Sequence, residues 1–345
     1  MKLADPRIPR RPSLRTVRRT GVFALSGALL SAAALALSGC SAAGSGHDSV
    51  ALAAANTSMR QSLAGSYQIV TRNNDRDLTF NQLLGINNEG VIAGYFGSGA
   101  AGHPNKGYVL LPPFAQRDYL NENYPGSVQT QVTGLNDAGV TVGFWANKSG
   151  ANFGFYESAD RFHNVNFPTK NNAKPAVNQL LGINNTGTAV GFYNDSAGNA
   201  HGYVYNIKSR KFVLVNVSGA TSLTASAINN HGAVAGFYTD KAGTTDGFLQ
   251  LHGGKTITIA FPGASMTQIF GVNDSDEVAG AYTTGTGSAA VTHGFVWLNG
   301  KFGTVDVPAG TGGTTVNGIN NEGDLVGFYT DAAGNTDGML AMPRG

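Results

Sequence analysis

Apolar and polar positions alternate along this chain in short runs, and turn-forming residues cut each run off after a few positions. FHNVNFP from Phe162, FVLVNVSG from Phe212, ITIAFPG from Ile257 and FGTVDVPAG from Phe302 are of this kind. They follow the two-residue period of a strand with one buried face. A second kind of run enters a G-I-N-type turn, as in Asn178-Gln179-Leu180-Leu181 and Thr267-Gln268-Ile269-Phe270. A third reads V-G-F-Y or a close variant, and a fourth reads G-F-L or G-Y-V, as at Gly247-Phe248-Leu249 and Gly202-Tyr203-Val204. All are rich in aromatic and β-branched residues and are bounded by Gly, Asn, Asp or Pro. That combination predicts short strands joined by turns.

The runs keep their order through six copies. The turn that marks each copy starts at residues 85, 134, 182, 227, 271 and 318, with spacings of 49, 48, 45, 44 and 47 residues. Periods of this length mark solenoids, propellers or arrays. Asn-Asn-x-Gly between two strands reads as a tight turn, because Asn and Gly accept positive φ at little cost. The second Gly, as in Val190-Gly191-Phe192, lies inside a strand pattern and predicts a close backbone approach or a bend. A unit of about 46 residues with four short strands cannot bury a core alone, so the six must pack on one another. The prediction is an all-β, six-bladed β-propeller. The last copy ends at Met339-Leu340-Ala341-Met342-Pro343 without its fourth strand, while SYQIVTR from Ser66 to Arg72 stands before the first copy. The N-terminal strand is therefore expected to complete the last blade and close the ring. A parallel β-solenoid is the alternative. Hairpin-like joins at Leu298-Asn299-Gly300-Lys301 and His252-Gly253-Gly254-Lys255 favour antiparallel pairing.

Charge changes the picture only at the N-terminus. Seven of the 23 Lys and Arg lie before residue 40, opposed there by Asp5 alone, which leaves 16 basic against 20 acidic groups and a net of about −4 for the rest. The basic balance belongs to a leader and is no argument for nucleic-acid binding. That leader is a basic stretch followed by the apolar run VFALSGALLSAAALAL. It is too short to span a bilayer comfortably and has the build of an export signal. It ends at Leu37-Ser38-Gly39-Cys40, and Cys40 is the one cysteine of the chain. These four positions resemble the lipobox of bacterial lipoproteins. The resemblance implies that Cys40 is lipidated and becomes the first mature residue, anchored to a membrane of the bacterial envelope, with the outer membrane expected. Residues 40–64, rich in Ala, Ser and Gly, read as a flexible tether, and 65–343 as the six-repeat domain. Without a second Cys no disulfide is available, so the exported fold relies on its core.

The repeat unit resembles the HAF-type repeats of bacterial extracellular proteins. The likeness rests on G-I-N-x-x-G, then V-G-F, then a His-x-Phe-like segment that reads His201-Gly202-Tyr203 and His293-Gly294-Phe295 here. It covers about residues 66 to 343 and implies an exported, repeat-built protein, with no established chemistry to carry over. The other copies place Lys106, Phe153, Asp246 or Asp337 where His stands. Equivalent places in a propeller form a ring, so Lys106, His201, Asp246, His293 and Asp337 are candidates for one ligand-binding face. The competing reading makes them solvated residues just before the third strand.

No catalytic or cofactor motif is present: G-x-S-x-G, H-E-x-x-H, a P-loop and paired-Cys metal spacing are all missing from the sequence. Asp195, Asp240 and Asp331 follow F-Y-x at hairpin tips and are expected to cap Asx-turns. Asn273-Asp274-Ser275-Asp276-Glu277 offers oxygen ligands but lacks the rest of a calcium loop, and reads as one acidic turn. Two function classes follow: a tethered binding module for a glycan or protein, or a propeller-type carbohydrate-active enzyme, lyase or hydrolase. Repeats this regular leave few specialised positions, which favours binding over catalysis.

Overall fold

A computed structural model describes residues 61–62, 66–169 and 175–344. The stretch expected to be an export signal, the expected lipobox with Cys40 and most of the expected tether lie outside the described residues.

The runs of the sequence are the strands of the fold. Blade 1 consists of Asn81–Ile86, Ile92–Phe96, Lys106–Leu110 and Tyr119–Asn121, antiparallel and in chain order from inside to outside. Blade 2 (Gln129–Leu135, Thr141–Ala146, Asn152–Ser158, Arg161–Val165) and blade 3 (Asn178–Ile183, Thr188–Asn194, Ala200–Asn206, Lys211–Leu214) repeat the order. So do blade 4 (Ala220–Ile228, Val234–Asp240, Thr245–Gln250, Thr256–Ile259) and blade 5 (Met266–Val272, Val278–Thr284, Val291–Leu298, Lys301–Thr304). Blade 6 takes Thr314–Ile319, Leu325–Thr330 and Thr336–Pro343 from the C-terminal end, and its outer strand is Tyr67–Thr71 from the N-terminal end. The ring is closed as the sequence predicts, with Ile69 opposite Ala341 and Val70 opposite Leu340. Within the expected tether, Gln61–Ser62 lie parallel to the outer strand of blade 5.

The core lies between blades rather than within them, because each sheet is one layer thick and buries both faces against its neighbours. Leu83, Ile92, Tyr108 and Leu110 of blade 1 pack in one cluster with Val326 and Leu340 of blade 6. The aromatic residue after the third-strand glycine is fully buried in five blades, as Tyr108, Phe155, Tyr203, Phe248 and Phe295, and Met339 takes its place in blade 6.

Two glycine positions explain the repeat. In V-G-F, a Cβ at Gly94, Gly143, Gly191, Gly236, Gly280 or Gly327 would stand 2.0–2.3 Å from a carbonyl oxygen of the inner strand. Only hydrogen fits there, so the predicted close approach is the reason for the residue. The glycine of G-I-N serves a different contact, with the next blade. A Cβ at Gly85 would lie 2.9 Å from the Gly134 Cα, and one at Gly271 3.1 Å from the Gly318 Cα. A register shift sits just before this position in every inner strand, as between Leu83 and Gly85. Such bulges bend the strand. The turn glycine has φ of +72° at Gly90 and similar values in four other copies, while Asp276 takes the place at +60° in the fifth.

Candidate functional site

The ring built by Asn87 and its equivalents does more than turn the chain. The Asn87 side-chain oxygen accepts the Glu89 and Val91 amides, which makes the tight turn. Its amide nitrogen donates to the Asn136 carbonyl of the next blade. Asn136, Asn184, Asn229, Asn273 and Asn320 do the same in turn, and Asn320 reaches back to the Asn87 carbonyl, giving six bonds of 2.9–3.3 Å. The following residues form a second closed ring. The backbone amides of Asn88, Asp137, Asn185, Asn230, Asp274 and Asn321 each donate to the side-chain oxygen of the next member at 2.8–3.0 Å. Both rings surround a narrow cavity of about 70 Å³ on the axis.

Two carboxylates stand in the second ring, three blades apart. Asp137 accepts the side-chain amides of Asn88 and Asn185, and Asp274 those of Asn230 and Asn321. The order Asn, Asp, Asn, Asn, Asp, Asn thus gives each acid two amide donors. Burial pushes the Asp137 carboxyl up, and the bonds from Asn88 and Asn185 outweigh it and hold the group below the ordinary range, with Asp274 opposing them. Asp274 is held low in the same way by Asn321 and Asn230 against burial. Such groups are acceptors with their lone pairs engaged and suit clamping rather than proton transfer. Asp137→Asn sets three amide donors against one another and should destabilise by about 1–3 kcal/mol in denaturant unfolding. The folded pKa is depressed, so the stabilisation is present above the unfolded value near 4 and is lost as pH falls through the folded one. The variant should therefore lose less stability than the parent on going from about pH 5 to pH 2.

The residues predicted to share a ligand face occupy equivalent places at the opposite ends of the strands, where the third strand begins. Three of them are held by neighbours. His201 Nε2 lies 2.9 Å from Asp195, and His293 Nδ1 lies 2.8 Å from Asp306 while its Nε2 meets the Thr284 hydroxyl at 3.2 Å. Asp337 accepts the Asn73 amide at 2.6 Å. Burial pushes the Lys106 amine down, and burial with Asp240 nearby pushes the Asp246 carboxyl up. The structure gives no contact among the five. Asp195, Asp240 and Asp331 cap their hairpins as expected, each accepting two backbone amides. The His201 bond is the largest of the contacts that pull the Asp195 carboxyl down to about 2. The Asn273–Glu277 segment is also a turn: Asn273 caps it, and Asp276 accepts the Asn229 amide. Among the described residues no group of three or more His, Cys, Asp or Glu is arranged to hold a metal ion.

A second concavity lies at the periphery between blades 2 and 3, an open groove of about 380 Å³. Blade 2 supplies Tyr156 from its third strand and Phe162, His163 and Asn164 from its outer strand. Tyr124 enters from the connection between blades 1 and 2, and blade 3 adds Tyr205 and Arg210. The rings are fixed by one another. Tyr124 stacks on Trp145 at 4.4 Å, Tyr156 stacks on His163 at 4.5 Å, and Trp145 donates its indole N–H to Asn164 at 2.8 Å. Burial, with Tyr156 nearby, pushes the Tyr205 phenol up, and Arg210 opposes the shift.

No family profile and no curated protein sequence matches the chain. Similar shapes occur among solved structures. AofleA from Arthrobotrys oligospora is 11% identical, with a TM-score of 0.47 over 79% of this chain and 85% of that one. The six-bladed β-propeller lectin of Aleuria aurantia, which recognises fucose, is 10% identical, with a TM-score of 0.44 over 80% and 92%. The N11 neuraminidase-like protein of A/flat-faced bat/Peru/033/2010 is 11% identical, with a TM-score of 0.46 over 83% and 96%.

Proposed function

We propose that this chain is a glycan-binding module, exported and held at the bacterial envelope by a lipid on Cys40, built on a HAF-type repeat ring. The observation that supports binding best is the groove between blades 2 and 3. It joins flat aromatic faces to hydrogen-bonding edges on a rigid scaffold, the lining that suits the apolar faces and hydroxyls of a sugar. The carboxylates at the axis are engaged in clamping the blades, which leaves them poorly suited to acid–base work on a substrate. A glycan array probed with the full-length protein should give saturable binding without cleavage. Shortened glycan products would support the enzyme reading instead, and capture of a protein with a silent array would replace the glycan. Anchoring is tested separately: Cys40→Ala should move the protein out of the membrane fraction, and an unmodified mature terminus elsewhere in residues 20–45 would refute the lipid.

A further inference from the structure

The repeat is broken at one matched pair of positions, and that pair lines the groove. In each blade the second residue after the third-strand glycine faces a fixed partner on the outer strand. The pairs are Val109–Leu120, Val204–Val213, Leu249–Ile257, Val296–Gly303 and, in blade 6, Leu340–Val70. Five blades therefore carry an apolar residue opposite another apolar residue or glycine. Blade 2 alone carries Tyr156 opposite His163, and the two rings stack nearly parallel, with an interplanar angle of 13°. The architecture does not need this pair, since five blades form the same sheet without it. Two polar aromatics at sites that are otherwise apolar, both on the wall of the same groove, mark a place specialised for contact.

Charge defines what the groove takes. Its blade 3 wall ends in the turn 207–210 and the first residue of the outer strand, which together carry Lys208, Arg210 and Lys211, all exposed, and no acid. Arg210 is held at φ +57° with its amide bonded to the Asn206 carbonyl. Among the described residues no carboxylate lies within ion-pair distance of its guanidinium. The facing hairpin of blade 2 contributes Asp160 in its turn, beside Arg161, and Glu157, which is buried in its third strand. Outside its leader the chain is net negative, so this turn is a local exception. A planar guanidinium without an ion-pair partner, beside aromatic faces, matches a ring that carries a carboxylate.

Resting on the binding reading above, we propose that the groove between blades 2 and 3 binds a uronate, an acidic pyranose. Its ring face packs on the Tyr156–His163 side and its carboxylate meets Arg210. The test uses the full-length protein with galacturonate, mannuronate and glucuronate-containing trisaccharides, each beside its methyl ester, which keeps the ring and removes the charge. At least one acid form should bind roughly tenfold or more tightly than its ester. Arg210→Gln should erase that difference. Replacing Tyr156 and His163 together by Val installs the pair type that other blades tolerate, so the fold should persist, checked by an unchanged melting temperature, while both forms lose binding. Equal binding of acid and ester to the parent protein would overturn the acidic assignment and leave a neutral-glycan module standing. Binding unchanged in the Val pair would overturn the site. Failure of every acid form to bind would overturn the proposal, and the glycan array then decides whether the binding reading falls with it.

Discussion

Removing residues 66–72 should unfold the protein or leave it aggregated, whereas removing residues 41–60 should change stability by less than about 0.5 kcal/mol. The first deletion strips blade 6 of its outer strand. Five Cα pairs with Met339–Pro343 disappear, along with the buried Tyr67 and the half-buried Ile69 that pack with Met339 and Ala341. Loss of a buried aromatic alone costs about 3–5 kcal/mol. With the strand pairing added, the total approaches the whole stability of an ordinary domain. The exposed edge that remains is a template for association. The second deletion ends before Gln61 and removes none of the described strands. Thermal unfolding with light scattering separates the two, and equal melting temperatures would refute the closure.

Gly280→Ala should cost about 3 kcal/mol or more, and Gly271→Ala about 1 kcal/mol. The two glycines differ in what their missing side chains face. A methyl at Gly280 would stand 2.0 Å from the Gln268 carbonyl oxygen and 2.9 Å from the Phe295 ring. The first is backbone inside a sheet and the second is packed on both sides, so neither can retreat. A methyl at Gly271 would meet the Gly318 Cα at 3.1 Å, and the repeat already contains the substitution, since Ala227 occupies this place in blade 4. Equilibrium unfolding of both variants checks the ranking. Equal losses would mean that the second glycine is not fixed by the inner strand.

The architecture was legible because it depends on features a single copy displays: strand period, turn residues, and the missing fourth strand of the last copy. The ring closure by Tyr67–Thr71 follows from counting strands. What escaped the sequence reading depends on relations between copies. Asn87 and its equivalents read as turn formers, which they are, but their side-chain amides spend the remaining capacity on the neighbouring blade. The alternation at residues 88, 137, 185, 230, 274 and 321 was the available signal, because an acid flanked by amides in a closed circle can be paired only there. Lys106, His201, Asp246, His293 and Asp337 share a ring position as expected. His201, His293 and Asp337 are each bonded to a neighbour, which a single repeat copy does not show. Tyr156 and His163 break the pattern visibly, yet they lie seven residues apart and become one feature only through cross-strand pairing.

The position of the bound sugar tests the proposal most directly. A crystal structure of the full-length protein with the tightest-binding uronate trisaccharide should show the sugar between blades 2 and 3, with its carboxylate on Arg210 and a ring face against the Tyr156–His163 side. A sugar bound instead across the far ends of the strands, among Lys106, His201, Asp246, His293 and Asp337, would contradict it.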